Sequence, residues 1–305
     1  MNIIYLGTPD FAVLPLQKLI EEGYNVIAVI TNKDKPVGRK QILTAPPVKS
    51  FALEKGLKVL QYDKIRVEGV VDLKELKPDL MITCAFGQIL SQEILDIPRL
   101  GVINIHASLL PAYRGASPIH YAILNGEKTT GITIMRTDIG IDTGDIIMQR
   151  PLDINEEETC GQLFERLSAL GAKCIVDSLP DIINGKAKYL KQDDKYASYS
   201  KIIKKEMAKI DWCDDAENIV NKIRAFNPAP IAFCTFEGNP FKIYSAKVCD
   251  MKGECGKILK ADKELIIGCN NGAVSLLTVQ KAGGKAMPIQ DFLRGNKLEI
   301  GGDFC

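Results

Sequence analysis

The chain has 305 residues, 46% of them hydrophobic and 25% charged, with a formal net charge of +1. That length suffices for about two domains with real cores. The near-neutral balance excludes a global pull toward nucleic acid or membrane, so any polyanion must be met by local patches. The opening run Met1-Asn2-Ile3-Ile4-Tyr5-Leu6-Gly7 is too short for a secretory signal and reads as a strand. No apolar run is long enough to span a bilayer. The nine cysteines are scattered and form no Cys-x-x-Cys pair, which points to reduced thiols in the cytoplasm. No metal site is expected, because Cys249 and Cys255 are the closest pair and no histidine lies near them.

The elements follow a strand–helix rhythm. Residues 2–6 form an apolar strand that ends at Gly7-Thr8-Pro9-Asp10, and a helical pattern through Phe11, Leu14, Leu19 and Ile20 closes at Gly23. Val26–Ile30 is a second buried strand, so the first unit is a right-handed βαβ crossover in a parallel sheet. A helix over 49–55, a short strand over 57–60, a helix over 72–77 and strands over 80–83 and 102–105 continue the pattern. Ser117-Pro118 starts a helix through Leu124. Strands over 132–135 and 146–149 are expected antiparallel at a sheet edge, and a long amphipathic helix runs from about Glu158 to Ile183.

The texture then changes. Residues 185–205 hold seven lysines and two aspartates with little apolar periodicity, which reads as an exposed basic linker. Asp214 and Glu217 resemble a capping box for a helix ending near Phe226. Short strands follow over 232–236, 241–246, 257–259, 264–267 and 274–279, then a helix from Pro288. The expected architecture is a Rossmann-like, mostly parallel α/β domain over 1–184, the linker, and a smaller β-barrel of OB type over 206–305.

Gly7-Thr8-Pro9-Asp10 lacks the G-x-G-x-x-G pattern of a dinucleotide site, since Pro9 stands where the second glycine belongs. Attention moves to Asn104 and His106. They sit at the carboxyl end of a predicted strand, where ligands bind in open α/β sheets, and their spacing of two places both side chains on one face. His106 taken alone is equally a loop histidine. His120, next to Tyr121 in a helix, reads as structural. Asp138 and Asp142 lie in a Gly-rich loop. Turn chemistry and a calcium site compete there with a carboxylate that polarises a histidine or a water, although the spacing does not fit an EF-hand. Asn104, His106 and Asp142 together can perform acyl transfer to an amine.

Asn104-x-His106, Ser108-Leu-Leu-Pro111, Arg114-Gly115 and Asp142-Thr-Gly resemble the signature of the 10-formyltetrahydrofolate-dependent formyltransferases. The likeness extends over the whole chain to the branch that formylates aminoacylated tRNA. It is carried by Gly7-Thr-Pro-Asp-Phe11, Lys35-Pro36-x-Gly38-Arg39, Pro47-Val48-Lys49, Ile223-Arg224-Ala225 and Gln290-Asp291-Phe292-Leu293. There are departures. Ala112-Tyr113 replace a basic residue and tryptophan, Pro228-Ala-Pro-Ile231 replaces Pro-Trp-Pro-Gly, and Gln88 replaces an apolar residue.

The resemblance implies 10-formyltetrahydrofolate as formyl donor and the α-amine of initiator methionyl-tRNA as acceptor, in translation initiation. It implies catalysis by Asn104, His106 and Asp142 without a metal. Phe86 and Gly87, with Ile139 and Gly140, are expected to flank the pterin, while Ser108, Leu109, Leu110 and Pro111 meet the folate through their main chain. Lys35, Arg39 and Lys40 are expected to reach the acceptor stem. Residues 206–305 carry 13 Lys and Arg against 13 Asp and Glu, so charge alone does not mark this region as an RNA binder. A monomer is expected. The rival readings are transfer to a small amine, hydrolysis of formyl-folate, and an RNA-binding protein on an inherited fold.

Overall fold

The structure, a computed structural model, describes residues 1–38 and 40–304. The expected tRNA contact at Arg39 therefore falls outside the described residues. Two compact units divide the chain. The first comprises residues 1–118, 129–153 and 164–201, and the second 119–128, 154–163 and 202–305.

In chain order the first part runs β1 (Asn2–Gly7), α1 (Val13–Glu21), β2 (Asn25–Thr31), β3 (Lys35–Val37), β4 (Ile42–Thr44), α2 (Pro47–Glu54) and β5 (Val59–Gln61). It continues with α3 (Ile65–Glu68), α4 (Val70–Leu76), β6 (Leu80–Cys84), α5 (Gln92–Leu95), β7 (Val102–His106) and β8 (Arg114–Gly115). Then come α6 (Pro118–Leu124), β9 (Thr129–Arg136), β10 (Ile146–Asp153), α7 (Cys160–Ile183) and β11 (Tyr199–Ser200).

Seven strands form one sheet in the order β10-β9-β7-β6-β1-β2-β5. The pairs from β7 to β5 are parallel, whereas β9 runs antiparallel to β7 and β10 antiparallel to β9. The strands are apolar on both faces because both faces are covered: Ile3, Ile4, Tyr5 and Leu6 are fully buried, as are Leu80, Met81 and Ile82. From β1 the chain winds first to β2 and β5, then returns to β6 and β7 on the other side. Such a reversal opens a crevice at the carboxyl ends of the strands.

Local chemistry sets the boundaries. Pro47 opens α2 at a position whose N–H has no helical partner to lose. The long helix begins at Cys160 rather than Glu158, because Thr159 and Gln162 make reciprocal cap bonds. The loop carrying Lys35 and Lys40 is a β-hairpin, β3 against β4, with Val37, Ile42 and Leu43 exposed. Its strands are three residues each, too short to show a period in sequence.

The second unit contains α8 (Ala216–Ala225), β12 (Ala232–Phe236), β13 (Asn239–Cys249), β14 (Ile258–Ala261), β15 (Leu265–Cys269), β16 (Gly272–Gln280), β17 (Met287–Pro288) and α9 (Ile289–Gly295). Its strands form an antiparallel sheet in the order β12-β13-β16-β15-β14, with β17 on β16. Among the described residues the end strands β12 and β14 do not pair, so the sheet is an open path rather than a closed barrel. The expected capping box at Asp214 is not formed. Asn271 instead accepts from the Ala216 N–H, and Asp214 pairs with Lys222. A tertiary partner has taken over the cap. The core is aromatic: Phe241 packs edge-on against Phe236, Phe292 and Phe304, and its side chain is fully buried. Burial of His120 beside Phe226 pushes its imidazole pKa down, which fits a packing role.

Candidate active site

Alternation along β7 puts Val102, Asn104 and His106 on one face and Ile103 and Ile105 on the other. Ile103 and Ile105 are buried, and Gly171 of α7 lets that helix approach Ile105 closely. The apolar half of the strand thus anchors the polar half.

Asn104 is held from both ends. Its Oδ1 accepts from the Thr83 hydroxyl at 3.0 Å, and its Nδ2 donates to Asp142 Oδ1 at 3.2 Å. The bond to Asp142 fixes which end of the amide is nitrogen, because a carboxylate only accepts, and it leaves the second N–H of Asn104 for a ligand. His106 is 5% exposed. Its Nε2 lies 3.0 Å from the carbonyl oxygen of Tyr113. A carbonyl only accepts, so Nε2 carries a proton and Nδ1 is the nitrogen turned to the site. Nδ1 stands 3.6 Å from Asp142 Oδ2, within ion-pair range but beyond a hydrogen bond. That gap suits a bridging water or a reacting group.

Asp142 has φ of 52°, the left-handed region that Asp tolerates better than most residues. Its Oδ2 accepts from the Gly115 N–H at 2.7 Å. Gly115 itself has φ of 107°, and a Cβ there would strike the carbonyl of Ser200. Gly144, two residues after Asp142, is equally constrained, since a Cβ would fall on the carbonyl oxygen of Arg136. Gly144→Ala is therefore expected to displace the Asp142 loop. Turnover should fall by about 10- to 100-fold, as a misplacement near 1 Å costs, and the melting temperature should fall with it because the clash is with backbone; unchanged turnover in a steady-state assay would count against this placement.

The loop from Ala107 to Arg114 is tightly bound. Ser108 is fully buried and its hydroxyl donates to the Ala112 carbonyl at 2.6 Å. Its own carbonyl accepts from Thr133, whose Oγ1 in turn accepts from the Leu110 N–H. Leu110 is 3% exposed and the Leu110–Pro111 bond is cis. Leu109 and Pro111 are half-buried. Tyr113, one of the departures from the family pattern, has φ of 59° and presents its carbonyl to His106.

A cleft of about 280 Å³ opens beside the Asp142 loop; Leu95, Val102 and Gly144 line it together with the polar or charged Gln92, Asp96, Arg136, Thr137, Asp138 and Asp145. Its wall includes both flanks of the Asp142 loop. Thr137 Oγ1 is buried there without a hydrogen-bond partner, and so is Ser91 Oγ close by in sequence. A planar heterocycle with polar edges suits such a lining of aliphatic and hydrogen-bonding groups.

The expected donor-binding residues divide. Ile139 and Gly140 lie on the exposed rim of the loop between Asp138 and Asp142, with Ile139 at 65% exposure. Phe86 is 4% exposed and packs in the core with Leu6, Ile30 and Leu90. Its carbonyl accepts from Thr8 and Asn32, and Gly87 follows with φ of 81°. Gln88, the other departure, uses every polar group of its side chain internally: it donates to Asn32 and Tyr62 and accepts from the Ile65 N–H. Lys35 and Lys40 are exposed.

Sequence reasoning missed the supports. Arg114 is 2% exposed and donates twice to Gln192 Oε1, at 3.0 and 2.9 Å, and once to Asp194 at 2.8 Å. β11 adds as a parallel strand beside β8. The Tyr113 N–H donates to Ser198 Oγ and the Ser117 N–H to Ser200 Oγ. The segment expected as an exposed linker keeps its lysines in solvent but turns its uncharged polar side chains onto the loop that holds His106. The only sequence signal was a handful of Gln and Ser residues among the lysines.

An amide and a histidine at the carboxyl end of a strand in an open α/β sheet, with a carboxylate beside them, form an arrangement whose chemistry suits acyl transfer. The chain belongs to the formyl transferase family: the family model described as formyl transferase matches residues 1–179, and that for its C-terminal domain matches residues 202–297. The chain is 46% identical to the methionyl-tRNA formyltransferase of Ruminiclostridium cellulolyticum, covering 99% of this chain and 98% of that protein. It is 45% identical to the methionyl-tRNA formyltransferase of Bacillus subtilis, over 98% and 96% of the two chains. Among solved structures, WlaRD, a sugar 3N-formyl transferase crystallised with dTDP and 5-N-formyl-THF, superposes with a TM-score of 0.71 at 26% identity, covering 93% of this chain and 99% of that one. HypX from Aquifex aeolicus in complex with tetrahydrofolic acid shares the fold at 19% identity and a TM-score of 0.63, and the chain spans 46% of its length. Among the described residues no helix is long and apolar enough to cross a membrane.

Proposed function

We propose that the chain transfers the formyl group of 10-formyltetrahydrofolate to the α-amine of methionyl-initiator-tRNA. The observation that carries this is the joint hold on Asp142 by Asn104 Nδ2 and the Gly115 N–H, with His106 Nδ1 beside it. This is supported in kind by the near-full-length likeness to methionyl-tRNA formyltransferases.

The pterin end of the donor fits the cleft between Val102 and Asp138, where Thr137 stands in the wall. The formamide then lies toward Asn104 and His106, with Ser108 to Pro111 along one side. An α-amine titrates near neutrality, so the neutral nucleophile is readily available. Its attack on the formyl carbon creates an oxyanion. The free N–H of Asn104 donates to that oxygen, worth ~2.7–4 kcal/mol of barrier. His106 Nδ1, with Asp142 and a bridging water, receives the proton shed by the amine and returns one to the departing folate nitrogen, worth roughly 10²–10⁴-fold.

The acceptor is read elsewhere. Lys35 and Lys40 of the hairpin loop supply cations for the acceptor stem, with Arg39 between them in sequence, and the exposed lysines of 185–205 supply more. Residues 206–305 are the tRNA-binding domain in this reading. Its run of short antiparallel strands suits an OB-type fold. The protein acts as a monomer in the cytoplasm.

Transfer of labelled formyl from formyl-folate to methionyl-initiator-tRNA tests the assignment. Label should appear on the aminoacylated tRNA and not on free amino sugars or small amines, and formate release without acceptor should be negligible. Labelling of a small amine in preference to the tRNA would overturn it. Arg39→Ala should raise KM for the tRNA about tenfold, as loss of a phosphate contact does, and leave formyl-folate binding unchanged; equal tRNA kinetics would remove the loop from the acceptor site.

A further inference from the structure

Gln192 joins two parts of the site that the chain brings together from far apart in sequence. Its Nε2 donates to the backbone carbonyls of Asp142 and Gly144, both at 2.8 Å. Its Oε1 accepts both a 3.0 Å and a 2.9 Å bond from Arg114. Both N–H groups and the acceptor of one amide are thus engaged, and no other residue type of that length offers donors and an acceptor at its tip. Arg114 is buried, and its guanidinium donates to Asp194 as well as to Gln192. Arg114 also immediately precedes Gly115, whose N–H holds the Asp142 carboxylate.

We propose that Gln192 is a positioning residue for formyl transfer, acting through Asp142. The inference rests on the reading of Asp142 given above. One side chain fixes the backbone of the carboxylate's loop from below, while through Arg114 it fixes the strand that binds the carboxylate from the side. Asp142 sits in a left-handed conformation on a loop whose rim residues Ile139 and Ile141 are exposed; Asn104 and Gly115 hold its carboxylate, and Gln192 holds its backbone. Loss of the clamp lets the carboxylate move by a fraction of an ångström, out of line with His106 Nδ1. Lys191 and Lys195 flank Gln192 and both are exposed.

Two variants separate positioning from folding. Gln192→Glu keeps an acceptor for Arg114 but faces the carbonyls of Asp142 and Gly144 without a donor, whereas Gln192→Ala removes both contacts. Each should lower kcat by about 10- to 100-fold, with KM for formyl-folate and for tRNA within about twofold of the parent. Gln192→Glu should keep its melting temperature, so a merely structural role predicts near-parent kcat for it. In an Asp142→Ala background, Gln192→Glu should cost nothing further, because the two act as one unit. Parent-like kcat in Gln192→Glu, or a full additional loss in the double variant, would overturn the proposal. Asp142→Asn is measured alongside. If it retains parent turnover the reading of Asp142 fails; if it loses turnover while Gln192→Glu does not, only the positioning role fails.

Discussion

His106→Ala and Asn104→Ala each lower kcat by roughly 10²–10³-fold, the cost of removing one donor or proton carrier from a preorganised site. The effect is expected in kcat because both groups act on charge that exists only once the amine has attacked. Formyl-folate affinity, measured by fluorescence or calorimetry, should stay near the parent value, since the proposed pterin cleft is lined by other side chains. Neither variant should unfold the protein. His106 contributes one hydrogen bond to a backbone carbonyl, and Asn104 two to side chains. The double variant should be little worse than either single one, as members of one catalytic unit behave. Near-parent turnover in both would remove Asn104 and His106 from the chemistry.

Phe241→Ala destabilises the second unit by about 3–5 kcal/mol, the range for truncating a buried aromatic. Phe241 is 1% exposed and touches three other phenylalanine rings, so the void left among them has no solvent to fill it. Thermal unfolding followed separately in the two units should show a lowered transition in the second, with formyl-folate binding retained below it. Transfer to tRNA should fall at the same temperatures. A transition unmoved by the substitution would show that the aromatic cluster does not hold this unit together.

Much of the fold was legible because its core strands are near-continuous apolar runs. Residues 2–6, 80–83 and 102–105 carry the signal of strands buried on both faces, and the alternation of strand and helix signals a parallel sheet. Short or shared features were not legible. The 35–44 hairpin is too brief to have a period. The cap of α8 comes from Asn271, more than fifty residues away, which a local pattern cannot report. Barrel closure in the second unit was not legible either, because strand number and spacing say nothing about whether end strands meet; among the described residues β12 and β14 do not pair.

The candidate site divides in the same way. Sequence by itself determined that Asn104 and His106 share a face, because side chains in a strand alternate with a period of two, and that this face lies where the strand runs out of the sheet. It also determined that the chain lacks a dinucleotide fingerprint, since Pro9 forbids the close backbone approach that a second glycine allows. Only the tertiary structure decided which nitrogen of His106 faces the site, since that depends on the carbonyl of Tyr113. It also gave the reason that Asp142, already singled out in the sequence, turns toward Asn104 and Asp138 does not: Asp138 spends its carboxylate on Thr143 and the Gly140 N–H. It also turned part of a lysine-rich stretch into scaffold. Charge and low hydrophobicity are properties of a segment and can be read off it; the hydrogen bonds from Gln192, Ser198 and Ser200 belong to pairs of segments and exist only once the chain has folded.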